Sequence, residues 1–131
     1  MSADAPFLTE LQLAVMRVLW DRGRATAAEI TEALRPARGL AQTTIATILS
    51  RLEKRGVVGH EATARQFVYF AKLSEPAATA SMVAELTDRL FDGDVAALVT
   101  HLITAKEFSR GDLARVKALI DEHEGTREKK R

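Results

Sequence analysis

The 131-residue sequence contains no cysteine, which excludes disulfide bonds and thiolate metal sites. This absence agrees with a cytoplasmic location, which we expect. No run of about 18 apolar residues occurs, so we predict no membrane insertion. The chain also lacks a basic segment followed by an apolar core near its start, so a signal peptide is not expected.

The motifs that commonly carry catalysis and cofactor binding are absent as well. There is no glycine-rich phosphate loop, no Gly-x-Ser-x-Gly segment and no cysteine nucleophile. His60, His101 and His123 lack metal-ligand spacing, and Asp92 with Asp94 matches only a fragment of a calcium loop. We therefore predict no enzyme activity, no metal site and no cofactor, and interpret the two aspartates as turn and helix-capping residues.

Charge is unevenly distributed, although the formal net charge is only +1. Hydrophobic residues make up 47% of the chain and charged residues 28%, which is typical of a folded globular protein. Residues 1–73 carry ten Lys or Arg and seven Asp or Glu, whereas residues 74–126 carry five and ten. This asymmetry favours a first half that faces a polyanion, with a surface of mixed charge as the alternative.

Two capping patterns predict the first two helices. Thr9 followed by Gln12 predicts a helix that ends near Gly23, and Thr26 followed by Glu29 predicts a short helix through about residue 34. A proline and a glycine then break the chain. The predicted core positions are Leu11, Val15, Val18 and Leu19 in the first helix and Ala27, Ile30 and Leu34 in the second.

A third helix is predicted from Gln42 to Arg55, with a glycine as its stop. Its apolar residues recur at helical spacing and predict a buried stripe of Ile45, Ile48, Leu49 and Leu52. The opposite side carries hydroxyl groups in its first turns and cations later, at Thr44, Thr47, Arg51 and either Lys54 or Arg55.

This polar side is suited to DNA, because hydroxyls near a helix N-terminus can approach base edges and cations further along can pair with phosphates. Threonine is a mediocre helix former, so Thr43, Thr44 and Thr47 favour base or phosphate contact over plain solvent exposure. Arg51 and Lys54 are predicted phosphate contacts. A solvated basic face that complements the helix dipole is the alternative.

After the third helix the apolar period changes to two. Residues 57–61 and 66–71 predict the two strands of a hairpin, with residues 62–65 at its tip. Arg65 is either a wing residue that reaches a phosphate or a solvated turn cation. The order of helix, turn, helix and hairpin is that of the winged helix-turn-helix, which places its second helix in the DNA major groove.

Three further helices are predicted in residues 74–126. The first two span about 75–91 and about 94–106, and the third begins at a capping pattern of Ser109 with Asp112. Their apolar stripes have few partners within one chain, because a domain of about 55 residues buries little of its surface. We therefore predict that a second copy completes the core. The predicted dimer interface is Val83, Leu86, Leu90, Phe91, Leu98, Val99, Leu102, Ile103, Leu113, Val116 and Ile120.

The predicted fold is mainly α with a small β hairpin. A winged helix-turn-helix DNA-binding domain occupies residues 1–73, and a three-helix dimerisation domain occupies residues 74–126. Residues 127–131 form a basic tail with four cations and one acid. We interpret the tail as a solvated end, with non-specific attraction to DNA as the alternative.

The sequence resembles the penicillinase-repressor family of bacterial transcription regulators, the BlaI/MecI type. The resemblance runs from about residue 9 to residue 120. It is carried by Leu8-Thr9-Glu10, Val15-Met16, Leu19-Trp20, Thr43-Thr44-Ile45, Arg51-Leu52, Lys54-Arg55-Gly56, Phe67-Val68-Tyr69, Leu90-Phe91-Asp92-Gly93-Asp94 and Leu98-Val99.

This resemblance implies a homodimeric repressor on an inverted-repeat operator of the TACA/TGTA type. It implies recognition contacts at Thr44, Thr47 and Arg51, flanked by Thr43. The remaining alternative from another class is a winged-helix protein-interaction module without specific DNA binding, which would use the wing and the acidic helices on a protein partner.

Four features of relatives are altered or absent here. In the antibiotic-resistance members a membrane sensor protease system leads to cleavage of an Asn-Phe bond in the dimerisation half. The equivalent position is His101-Leu102, so the cleavage motif is not retained. Some relatives have arginine where this chain has Ala46, and several have a serine N-cap where it has Ala41. The cysteine cluster of copper-responsive relatives is absent.

Overall fold

A computed structural model describes residues 7–105 and 108–129, with side chains through residue 126. The elements in chain order are α1 (Glu10–Arg22), β1 (Arg24–Thr26), α2 (Ala27–Leu34), α3 (Gln42–Lys54), β2 (Val58–Ala62), β3 (Phe67–Ala71), α4 (Glu75–Phe91), α5 (Val95–Thr104) and α6 (Arg110–Lys129). The chain divides into two compact units between Leu86 and Thr87. The boundary predicted at residues 73–74 coincides with the start of α4 and stays a prediction as a domain border.

Both predicted capping boxes are confirmed. The Thr9 hydroxyl accepts from the Gln12 N–H at 3.2 Å, and the Gln12 side chain accepts from the Thr9 N–H at 3.0 Å. Thr26 and Glu29 exchange the same pair of bonds at 3.1 and 2.8 Å. These reciprocal bonds satisfy amides that the first turn of a helix leaves without partners, so the starts of α1 and α2 are set locally.

The sheet has one strand more than the predicted hairpin. Its three antiparallel strands lie in the order β1-β3-β2, and β1 pairs with β3 through Arg24–Phe70, Ala25–Tyr69 and Thr26–Val68. A strand of three residues is too short to show alternation. Thr26 is both the last residue of β1 and the N-cap of α2, so the sheet runs directly into the helix-turn-helix.

The core of the first unit lies between the three helices and the inner face of the sheet. The predicted α3 stripe is confirmed, because all four of its members are buried. Ala27 and Leu34, predicted as core, are only half-buried against it. The buried apolar residues are Leu8, Val15, Met16, Leu19, Ala25, Ile30, Ile45, Ile48, Leu49, Leu52, Val57, Val58, Tyr69 and Ala78.

The second unit contains the end of α4, all of α5 and α6. Asp94 caps α5 by accepting from the Ala97 N–H at 3.1 Å, and Asp92 has a φ of 49° in the preceding turn, as predicted for these two aspartates. Ser109 and Asp112 form the expected capping box of α6. Helix α6 continues to residue 129, into the predicted tail, whose side chains and last two residues lie outside the described part.

Candidate nucleic-acid interface

The polar side of α3 is exposed along its whole length. Thr43, Thr44, Thr47, Arg51 and Lys54 are all exposed, whereas the apolar stripe faces the core. At 3.6 residues per turn, these five side chains leave the helix axis within an arc of about 100°. The structure therefore brings the sequence-predicted residues of α3 together on one surface, which we call the α3 face.

The hydroxyl groups of the α3 face are not equivalent. The Thr47 hydroxyl donates to the Thr43 carbonyl oxygen at 3.0 Å, which leaves its lone pairs to accept. Within the described residues, the Thr43 and Thr44 hydroxyls make no intramolecular hydrogen bond and can both donate and accept. Ala41 is the N-cap of α3 and supplies no side-chain bond, so the first turn also keeps amide donors for an anion.

Arg55 does not belong to the α3 face. Its guanidinium group donates to the side-chain oxygen of Gln12 at 3.1 Å and to the carbonyl oxygen of Phe7 at 3.0 Å. These bonds fasten the end of α3 to the start of α1. Both Lys54 and Arg55 are exposed, but Lys54 has no such tie in the described structure, so Lys54 stays the predicted phosphate contact at this end.

The wing consists of β2, β3 and the turn between them. The turn is closed at Thr63, whose N–H and hydroxyl donate to the Gln66 carbonyl oxygen at 2.8 and 3.0 Å. Arg65 is exposed in this turn, and the ion pairs of the described residues do not include it. Its cation is therefore presented to solvent at the end of the wing.

An ionisable pair joins α3 to the wing. Nδ1 of His60 lies 2.8 and 2.9 Å from the two carboxylate oxygens of Glu53. The His60 ring stacks on Phe67 with a centroid distance of 4.3 Å and lies 5.6 Å from the Tyr69 ring. Burial raises the pKa of the Tyr69 hydroxyl, and the negative charge of Glu53 raises it further.

Sequence reasoning missed this pair because it weighed His60 only as a metal ligand. No local pattern links the last turn of a helix to a strand seven residues later. Among the residues that the structure describes, no group of three His, Asp or Glu side chains could hold a metal ion. None of the described helices is long and apolar enough to cross a lipid bilayer.

The residues predicted for the dimer interface lie on α4, α5 and α6. Leu90 is 70% exposed. The exposed members are Val83, Leu86, Leu90, Val99, Ile103, Leu113 and Ile120, and the half-buried ones are Phe91, Leu98, Leu102 and Val116. His101 and Leu102 lie inside α5, where the His101 ring is 6.0 Å from that of Phe91.

The fold and the α3 face define the class as a winged helix-turn-helix protein with additional C-terminal helices. The chain belongs to the penicillinase repressor family, whose model matches residues 8–122. This is a family of DNA-binding transcriptional repressors and not of enzymes.

Three relatives illustrate the match. The penicillinase repressor of Bacillus licheniformis is 24% identical over 118 residues, which cover 90% of this chain and 92% of that protein. The methicillin resistance regulatory protein MecI of Mammaliicoccus sciuri is 21% identical over 107 residues, covering 82% and 87%. The solution structure of the DNA-binding domain of the repressor BlaI has a TM-score of 0.51 and 30% identity, and covers 56% of this chain and 89% of that domain.

Proposed function

We propose that this protein is a homodimeric transcriptional repressor that binds an inverted-repeat operator, expected to be of the TACA/TGTA type, through α3 in the major groove. The observation that carries the proposal is the α3 face in a member of this repressor family. The likeness to the solution structure of the BlaI DNA-binding domain supports it, because 89% of that domain is covered by this chain.

Each residue type of the interface has a separate role. Thr44 and Thr47 lie in the first two turns of α3 and read base edges, with Thr43 beside them. Arg51 and Lys54 follow at the other end of the helix and pair with phosphates. Arg65 on the wing makes a further phosphate contact, which fixes the register of the protein on the duplex.

The exposed apolar residues of the C-terminal helices support the dimer. No apolar side chain described in residues 87–105 and 108–126 is buried, and several large ones are exposed. An apolar surface of this kind is stabilised when a second copy covers it. A two-fold dimer then presents two α3 helices to two half-sites about one turn of DNA, roughly 34 Å, apart.

The location and the route of derepression are inferred from the family. The cytoplasm is the proposed location, because that compartment holds the DNA. A membrane sensor protease system is a proposed partner through the family alone. Cleavage at His101-Leu102 would require part of α5 to unwind, since this bond lies inside the helix.

The experiment is a fluorescence-anisotropy titration of the protein against the duplex upstream of its own gene, with scrambled duplex as competitor at near-physiological salt. We expect tight, competitor-resistant binding of one dimer per inverted repeat. The matched variant is Thr44→Val, which keeps the shape and removes a free hydroxyl. Equal, weak binding to both duplexes, followed by a genome-wide operator selection that recovers no site, would overturn the proposal in favour of the protein-interaction module.

A further inference from the structure

The Glu53–His60 pair, which we call the bridge, connects the helix proposed to read DNA with the wing. Glu53 lies in the last turn of α3, one residue before Lys54, and His60 lies in the middle of β2. Their contact is 2.8 Å, and both side chains are largely shielded, at 36% and 29% exposure. A shielded contact between a carboxylate and an imidazole is screened less by salt than a surface pair.

The His60 ring is held from two sides, which fixes its orientation in the bridge. Glu53 of α3 meets it from one side, and Phe67 and Tyr69 of β3 hold its ring from the other. The backbone register pairs His60 with Tyr69. Glu61 is the next residue of β2, and its side chain points to the opposite face of the sheet, where it forms an ion pair with Arg24.

The position of β2 explains why such a bridge matters. β2 is an outer strand, paired only with β3, whereas β3 is paired on both sides. The start of β2 is anchored by the buried Val57 and Val58, but the chain from residue 61 to residue 67 is exposed. The bridge is therefore the side-chain tie to α3 that lies furthest along β2 in the described structure.

We propose that Glu53 and His60 are positioning residues that fix the angle between the wing and α3, so that Arg65 and the α3 face reach the same duplex together. This inference rests on the proposed function. The turn begins about 10 Å beyond His60, at roughly 3.3 Å per strand residue. A 10° change of the wing would move it by about 2 Å, which is enough to break a hydrogen bond to a phosphate.

Two substitutions of His60 separate the contributions of its ring and its N–H, and a substitution of Glu53 tests the contact from the other side. His60→Phe keeps a ring to stack on Phe67 and removes the N–H that faces Glu53. His60→Gln keeps an N–H donor and removes the ring. Glu53→Gln removes the charge with little change of shape, and serves as the second test of the contact if His60→Phe fails to fold.

The first measurement is hydrogen–deuterium exchange of the free protein. We expect faster exchange of wing amides in residues 59–70 for His60→Phe and Glu53→Gln, with α1 and α2 unchanged. His60→Gln should stay closer to the parent protein. Unchanged wing exchange in both His60→Phe and Glu53→Gln would overturn the positioning role without reference to DNA.

The second measurement is the salt dependence of operator binding, with hydroxyl-radical footprinting of the complex. For His60→Phe we expect loss of the wing footprint, an intact α3 footprint and a salt slope that falls by about one. Affinity should fall roughly tenfold, as expected for one lost charge-assisted contact. A merely structural residue would lower thermal stability and leave the slope and footprint unchanged.

Arg65→Ala is the matched control, because it removes the wing cation and leaves the bridge intact. It should reproduce the slope change without faster wing exchange, and the double variant with His60→Phe should show no additional slope loss. Additive losses would contradict a shared contact. If the parent protein binds no duplex specifically, the proposed function fails, and hydrogen exchange still decides whether the bridge holds the wing.

Discussion

The indole Nε1 of Trp20 donates a 2.8 Å hydrogen bond to the main-chain carbonyl oxygen of Leu73, across 53 residues of sequence. Trp20 lies near the end of α1, and Leu73 lies between β3 and α4. The bond thus ties the first helix to the segment that leaves the sheet. Both residues pack, half-buried, against the same core cluster.

Replacing Trp20 with phenylalanine should lower the free energy of unfolding by about 1–3 kcal/mol, because a partly buried carbonyl loses its donor. Urea denaturation monitored by circular dichroism measures this change. Tryptophan fluorescence is unsuitable, because Trp20 is the single tryptophan and the substitution removes it. Thr79→Ala at an exposed position of α4 is the control. An unchanged midpoint for Trp20→Phe would contradict a stabilising role for the bond.

Lys54 and Arg55 are adjacent cations that should behave differently. Arg55→Ala should lower the free energy of unfolding by roughly 1 kcal/mol, because it removes the bonds to Gln12 and Phe7. Lys54→Ala should leave stability unchanged and reduce the salt slope of operator binding by about one. Denaturation curves and binding isotherms at several salt concentrations test both, and the interchange of the two phenotypes would contradict the assignment.

Thr47 and Arg51 should separate specificity from general affinity. Thr47→Ala should cost about 1–3 kcal/mol of discrimination between operator and scrambled duplex, since it removes a group proposed to contact base edges. Arg51→Ala should weaken binding to both duplexes alike, because a phosphate contact carries no sequence information. Parallel titrations of the two duplexes measure the ratio, and a Thr47→Ala protein with full discrimination counts against α3 as the reading helix.

The C-terminal helices should set the oligomeric state. Ile103→Glu puts a carboxylate into the apolar surface of α5, where its burial against a second copy is strongly unfavourable. We expect sedimentation equilibrium to show a monomer, whereas Thr104→Glu, at an exposed position about 100° around the same helix, should stay dimeric. A parent protein that sediments as a monomer, or a dimer of Ile103→Glu, would refute the proposed interface.

Acid should weaken the start of α6 through Asp112. The Ser109 N–H and hydroxyl hold the pKa of the Asp112 carboxyl below its usual value of 3.8, with a smaller contribution from Arg115. A lowered folded-state pKa means stability that is fully present above 3.8 and is lost as the pH falls through the folded value. The parent protein should therefore have a higher free energy of unfolding than Asp112→Asn at neutral pH, and this difference, measured by urea denaturation, should vanish at low pH. A difference that does not change with pH would contradict this linkage.

The parts of the fold predicted from sequence are those encoded locally. Thr9 and Thr26 signal their helices through bonds that span only three residues, and the stripe from Ile45 to Leu52 follows from helical periodicity. The α3 face is the other side of that same period, so its exposure was predictable before the structure.

The missed features depend on contacts between distant segments. Strand β1 exists because Arg24–Thr26 meets β3, and three residues carry no pattern of their own. The sequence could not decide whether Arg55 belongs to the α3 face, because its hydrogen-bond partners Gln12 and Phe7 lie more than 40 residues away. The bridge combines two residues that are ordinary in their own elements.

Thr26 leaves no spacer between the sheet and the helix-turn-helix. Its backbone ends β1 and its hydroxyl starts α2, so the joint contains no residue whose torsions could serve as a hinge. A bend there would have to break either the cap or the pairing of Thr26 with Val68. Movement of β3 is therefore transmitted directly to α2. Insertion of a single residue after position 26 would uncouple the two elements.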